Sequence, residues 1–143
     1  MHTINLEQLA TEVRTERRDN ALWAVPDTLI GTDSHTPMIN GIGVPGWGVG
    51  GLEAQTVMFG MPTMLRIPDV IGAPERRPCS GVSATDLALT VTQRLRAMGL
   101  SGEFVEFYGP GVCTLSAGER AVVANMALEY GASKFYGIMM SFV

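Results

Sequence analysis

The stretch Ser83-Ala84-Thr85-Asp86-Leu87-Ala88-Leu89-Thr90-Val91-Thr92-Gln93-Arg94-Leu95-Arg96-Ala97-Met98-Gly99, continuing through Leu100-Ser101-Gly102-Glu103-Phe104-Val105-Glu106-Phe107-Tyr108, decides the fold, because two periodicities meet in it. Ser83 with Asp86 three residues on has the form of a capping box with Asp in place of Glu. Leu87, Val91, Leu95 and Met98 then fall on one apolar helical stripe that ends before Gly99. Past that glycine, Glu103 to Tyr108 alternates in the manner of a half-buried strand. Ser116 with Glu119 repeats the helix-start signature ahead of Ala121-Val122-Val123-Ala124. Strands separated by helices predict an α/β fold, layered α/β/α, with a mainly parallel sheet.

Toward the N-terminus, Ala24 to Ile30 reads as a short strand that ends at Gly31, and Leu52 to Phe59 as a helix opening after Gly50-Gly51 and ending before Gly60. Thr63 to Ile67 followed by Asp69 to Gly72 suggests a strand whose centre Pro68 weakens. Residues 5–18 have Leu6, Leu9, Ala10 and Val13 at helical spacing, which predicts a charged helix lying on the surface. The run Ala73-Pro74-Glu75-Arg76-Arg77-Pro78-Cys79 is poor strand material, with two prolines and a charge cluster.

A chain of 143 residues is the usual size of one domain and can bury a moderate core. The net charge of −4 offers no basic field, so composition does not support nucleic-acid binding. The two cysteines, Cys79 and Cys113, lack metal-ligand spacing and read as free thiols of a reducing compartment. The N-terminal region carries Glu7, Glu12, Arg14, Glu16, Arg17, Arg18 and Asp19 without an apolar signal core, and no run has the length of a membrane span. The expected location is the cytoplasm.

Chemistry concentrates in Gly31-Thr32-Asp33-Ser34-His35-Thr36-Pro37, at the end of the first expected strand, where loops of α/β proteins carry ligands. Asp33 can orient an imidazole, Ser34 can donate to a substrate carboxylate or act as a nucleophile, and His35 can move protons near neutral pH. The residues alone leave a second reading open, in which Asp33 and Ser34 make a local turn with His35 packed beside it. The following Gly41-Ile42-Gly43-Val44-Pro45-Gly46 satisfies the literal dinucleotide pattern, but polar residues precede it and Pro45 interrupts it. These glycines instead indicate tight turning or close backbone approach.

Asn125 and Glu129 are four apart near the end of the last expected helix, close to Val122 and Met126. Glu129 precedes Gly131, where the helix dipole and partial burial would both raise its pKa. An ordinary solvated glutamate with a neighbouring amide is the other reading.

The segment Pro26 to Pro62, PDTLIGTDSHTPMINGIGVPGWGVGGLEAQTVMFGMP, closely resembles the aconitases, iron-sulfur hydro-lyases. Ser83 to Gln93, Phe104 to Gly111 and Ala124 to Ala132 resemble the same family in the same order, as does Asn5 to Ala10. The resemblance implies that residues 1–132 are part of the family's N-terminal, cluster-region α/β domain. Residues 133–143 then form a divergent tail that reads as an out-of-frame or truncated end with exposed apolar patches.

The reaction implied is aconitate hydratase chemistry of the tricarboxylic acid cycle, citrate to isocitrate through cis-aconitate, with the labile iron of a [4Fe-4S] cluster as Lewis acid. By resemblance, Asp33 pairs with a histidine elsewhere in the enzyme, Ser34 binds a substrate carboxylate and His35 contacts substrate or water. Asp33, His35 and Glu129 are the implied catalytic residues, and Asn125 and Glu129 neighbour the cluster. The three cluster cysteines, the proton-abstracting serine and the carboxylate-clamping arginines of the family have no match in this chain, so no metal ligand is expected here. The polypeptide alone is therefore expected to be inactive, with a tricarboxylate and the missing cluster-binding half as its partners. The alternatives are a non-enzymatic remnant, a docking subunit of a split hydro-lyase, or a relative of the 2-methylisocitrate dehydratase type. The phrases Met38 to Gly41 and Glu106 to Gly111 look more like the citrate enzymes.

Overall fold

The computed structural model describes residues 10–64, 68–74, 80–131 and 139–140. Among the described residues the fold is α/β, with two small parallel sheets and a separate antiparallel hairpin rather than one continuous sheet.

The centre is built from the deciding stretch. Strand β5 (Val70–Pro74) leads through a helix to β6 (Phe104–Tyr108), and β6 leads through another helix to β7 (Met139–Met140). The three strands pair in parallel in the order β5-β6-β7, with Val70 opposite Phe104 and Glu106 opposite Met139. Parallel neighbours need such crossovers, because a tight turn cannot reverse the chain and then restore its direction.

The first crossover helix spans Ala84–Ala97 and the second Ala117–Asn125; with the helix Gly51–Met58 described below, they are α2, α3 and α1. Ser83 and Ser116 cap α2 and α3 as the sequence predicts, each accepting from the backbone N–H three residues on while Asp86 and Glu119 reach back. Val91 and Leu95 of the expected stripe are buried, joined by Ala88 and Thr92, but Met98 is exposed at the helix end. On β6 the alternation holds: Val105 and Phe107 are buried against α2, α3 and Tyr130.

Pro74 lies within β5, against the expectation that this run resists strand structure. Among the described residues β5 is an edge strand paired with β6 alone, and Pro74 is its last residue, where a missing N–H is tolerated. Of the strand expected from Thr63 to Gly72, Val70 to Gly72 are in β5, Thr63, Met64, Pro68 and Asp69 are not in a strand, and residues 65–67 lie outside the described residues, as do 75–79.

The N-terminal part corrects the sequence reading more deeply. Within the expected helix of residues 5–18, residues 5–9 are not described, and Val13–Arg18 is a strand, β1, antiparallel to β2 (Ala21–Pro26) with Arg18 opposite Ala21. Asp19 and Asn20 between them have φ of 47° and 63°, the paired left-handed conformation whose twist matches a hairpin. That turn overrides an apolar spacing too sparse to hold a short helix in water.

The expected strand of Ala24 to Ile30 divides at Asp27-Thr28: its first part completes the hairpin, and Leu29–Gly31 becomes β3, parallel to β4 (Gly46–Gly48). The crossover between β3 and β4 is a 3-10 helix, Thr36–Ile42. Trp47 meets Phe104 edge-on at a centroid distance of 5.9 Å and so ties this sheet to the central one.

Helix α1 (Gly51–Met58) follows the glycine pair as expected, with Glu53 accepting from the Gly50 N–H at 2.6 Å. It buries no residue, and Leu52, Met58 and Phe59 are 82%, 83% and 74% exposed. No helix among the described residues is long and apolar enough to cross a membrane. Apart from Met139 and Met140, the expected tail of residues 133–143 lies outside the described residues.

Candidate functional site

The polar triplet sits where the sequence places it, on the loop leaving the C-terminal end of β3. The local turn is formed, and the same carboxylate also meets the imidazole of His35. Oδ1 of Asp33 accepts from the backbone N–H of His35 at 2.7 Å, the local turn, and stands 2.9 Å from Nδ1 of the same imidazole. A carboxylate oxygen only accepts, so Nδ1 carries the hydrogen and Nε2 of the neutral ring carries the lone pair. The two side chains keep 44% and 40% of their surface exposed, and Ser34, also exposed, has Oγ 3.4 Å from Nδ1.

The loop is pinned from behind. Thr36 is buried and binds the carbonyl of Asp33 twice, through its N–H at 3.0 Å and its hydroxyl at 2.7 Å. A Cβ on Gly31 would fall 2.6 Å from that hydroxyl. Across the sheet, Leu29 donates to the Pro45 carbonyl and Val49 to that of Gly31, both at 2.9 Å.

The literal dinucleotide pattern makes no phosphate loop. Gly41 lies in the 3-10 helix, with the Ala121 nitrogen 2.6 Å from where its Cβ would stand; Gly43, at φ 86°, ends that helix; Gly46 starts β4. Close approach and sharp turning are the uses expected of these glycines.

The contact of the 3-10 helix with α3 is the most extensive between any two elements of the described residues, and it links the triplet to the second group of expected site residues. Asn125 is the last residue of α3, one helical turn beyond the Ala121 that Gly41 touches. It is half-buried, and its Oδ1 is buried with no hydrogen-bond partner among the described residues. Glu129 does not share that environment. A 3-10 turn, Met126–Leu128, intervenes, advancing about 120° per residue instead of about 100°, and Glu129 emerges exposed. The partial burial expected of it is absent. Gly131 ends the segment at φ 83°, with the Leu100 carbonyl oxygen 2.6 Å from where a Cβ would stand.

Tyr130 is the most deeply buried titratable group of the region; burial pushes its hydroxyl well above the ordinary phenol range, and no described residue bonds it. Sequence reasoning passed over Tyr130, Thr36 and Asn40. The available signal for Asn40 was an amide placed directly after Met38-Ile39 and before a glycine.

A [4Fe-4S] cluster held by thiolates draws on more cysteines than the two in this sequence. Cys79 is outside the described residues, Cys113 is exposed, and no group of three His, Cys, Asp or Glu among the described residues stands close enough to hold a metal ion.

Residues 1–139 match the model of the aconitase family (aconitate hydratase). The chain is 55% identical over 133 residues to aconitate hydratase A of Legionella pneumophila and 56% over 135 residues to that of Bacillus subtilis. It is 53% identical over 134 residues to phosphinomethylmalate isomerase of Streptomyces viridochromogenes. These alignments cover 92–93% of this chain and 15% of each relative, so the chain spans a small part of the length of the proteins it matches.

Proposed function

The chain belongs to the aconitase family, and on that premise we propose that it supplies the Asp-Ser-His part of the tricarboxylate site of an aconitate hydratase, interconverting citrate and isocitrate through cis-aconitate. The observation that carries this reading is the double use of Asp33 Oδ1, which fixes both the backbone and the imidazole of His35 on a half-exposed loop. Held in this way, His35 presents Nε2 as the basic nitrogen that exchanges a proton with substrate or water, and Ser34 donates its hydroxyl to a substrate carboxylate. Asn125 contributes an acceptor that nothing among the described residues satisfies. Glu129 is exposed at the end of the same segment, and in this proposal it serves the cluster side of the site.

The cluster, the arginine clamps and the serine base of the family belong to a further polypeptide part in this proposal, and the 143-residue chain alone does not turn over citrate. Helix α1 supports such a partner, since it buries no residue fully and leaves Leu52, Met58 and the adjoining Phe59 exposed. A cytoplasmic setting fits the same reading.

One finding favours a second reading of the substrate. The identity to the phosphinomethylmalate isomerase is within a few per cent of that to the aconitate hydratases. The same loop would then serve a related substituted acid, the distinction being made by residues beyond this chain; a 2-methylisocitrate-type substrate belongs to this class.

The test is anaerobic reconstitution with iron and sulfide, of the chain alone and of the chain co-expressed with the rest of an aconitate hydratase. Hydratase activity is expected only in the second case, with a fall of about 10²- to 10⁴-fold on His35→Ala. Turnover by the chain alone, or a complemented enzyme indifferent to His35→Ala, overturns the proposal. Complementation that fails outright leaves the remnant reading in its place.

A further inference from the structure

Asn40 is entirely buried, and its carboxamide makes two hydrogen bonds, one within its own 3-10 helix and one out to β4. Its Nδ2 donates to the Pro37 carbonyl at 2.8 Å, two residues past His35, and its Oδ1 accepts from the N–H of Gly46, the first residue of β4, also at 2.8 Å. We propose that Asn40 is a positioning residue whose carboxamide aims the Asp33–His35 pair by locking the 3-10 helix behind the loop to β4.

The argument follows the bonds. Gly46 is in register with Leu29 of β3, so the strand that feeds the loop is referenced to β4 through the sheet. The far end of the loop has no sheet bond of its own. It reaches β4 through Asn40, from Gly46 to the Pro37 carbonyl, and Thr36, next to Pro37, holds the Asp33 carbonyl twice. Gly41 seats the same helix on the backbone of Ala121 from the other side. Removing the carboxamide takes its side-chain acceptor from the buried Gly46 N–H and its side-chain donor from the Pro37 carbonyl. The helix shifts to restore the Gly46 bond, and Thr36 transmits that movement to the residue whose carboxylate holds Nδ1 of His35.

The inference rests on the reading of this loop as part of the substrate site. The experiment reads a tautomer instead of turnover, so its failure is distinguishable from the failure of that reading. The 143-residue chain is labelled with ¹⁵N in its histidine rings and the neutral His35 ring is observed by NMR, with His35→Gln for assignment. The wild-type ring is expected as the Nδ1–H tautomer; Asn40→Ala is expected to shift it several-fold toward Nε2–H while the amides of Val105 and Phe107 keep their positions. A stabilising contact with no positioning role leaves the tautomer unchanged in the folded variant, and that result overturns the proposal. So does a wild-type ring already in the Nε2–H form. A hydrogen-bond scalar coupling between the Gly46 nitrogen and the Asn40 side-chain carbonyl in the wild type supplies the measurement that needs no variant to fold; its absence overturns the proposal too.

Discussion

The region around β6 and the region around the Asp-Ser-His loop are held together by different physics. Around β6, Val105, Phe107, Val123, Ala124 and Tyr130 are at most 2% exposed and pack side chain on side chain, so the structure rests on filled volume. Around the loop, few large side chains are buried; instead Thr36 and Asn40 hold backbone carbonyls and amides, Gly41 and Gly46 bring backbones within a distance that excludes a Cβ, and Gly31 leaves room for the Thr36 side chain. Filled volume gives stability without caring much about the direction of any one group. A net of hydrogen bonds gives little net stability per bond but fixes direction closely. The division suits a chain whose centre carries the fold and whose loop carries the aim.

The contrast is broken most severely from the core. Phe107→Ala removes a ring 1% exposed from the middle of the sheet and is expected to cost about 3–5 kcal/mol. Denaturant unfolding should show the whole molecule losing structure in one transition. If only the α2 and α3 signals are lost and the His35 resonances persist, the two regions are independent units and the comparison fails.

Gly41→Ala attacks the joint between the regions. Its Cβ would meet the Ala121 nitrogen at 2.6 Å and Cα at 2.8 Å, both backbone atoms that cannot rotate away. A loss of about 1–3 kcal/mol is expected, as for overpacking elsewhere. The expected signature is a chemical-shift change spread along the 3-10 helix and α3, with β5 and β6 unmoved.

These two sites differ in how far they could be read from the sequence. The core was legible because its signals are local: the serine caps of α2 and α3, the helical stripe through Val91 and Leu95, and the alternation in β6 each lie within a short stretch of chain. The triplet was legible for the same reason, as a polar run at a strand end. What escaped depends on distant partners. Val13–Arg18 is a strand because Asp19-Asn20 turns it onto Ala21–Pro26, and helical spacing alone gave no weight to that pair. Pro74 sits in a strand because β5 is an edge. Glu129 is exposed because the last turn tightens to 3-10 geometry, and Asn40 matters because Gly46, six residues on, returns beside it.

Caps give a smaller test within the legible part. Ser116→Ala removes the hydroxyl that accepts from the Glu119 N–H and is expected to cost about 1 kcal/mol, seen as a lower melting temperature. The capping carboxylates add a pH dependence. The Ser83 hydroxyl and N–H hold Asp86 below the usual carboxylate range, and the N–H and hydroxyl of Ser116 do the same for Glu119. A pKa lowered in the folded state contributes stability that is complete above the ordinary carboxylate range and is lost as pH falls through the lowered value. Helicity should therefore decline on the acid side only, and the Ser83→Ala, Ser116→Ala double variant should show less of that decline. An equal decline in both proteins would place its origin elsewhere.

The smallest effect on stability is expected where the chain is most apolar on its surface. Leu52→Ser with Phe59→Ser changes two side chains at 82% and 74% exposure around a helix that buries nothing, so the isolated chain should unfold within about 0.5 kcal/mol of the wild type. Neither the core nor the loop net includes them. The same pair is expected to abolish complementation by the rest of an aconitate hydratase, because exposed apolar side chains of that kind mark a surface that a partner covers. A double variant that complements normally would show that α1 is bare in the working enzyme as well, and the partner would have to seat on the hairpin or on the loop itself. A double variant that unfolds would show instead that α1 supports this chain from within, and the division between a packed centre and a hydrogen-bonded site would need a third term.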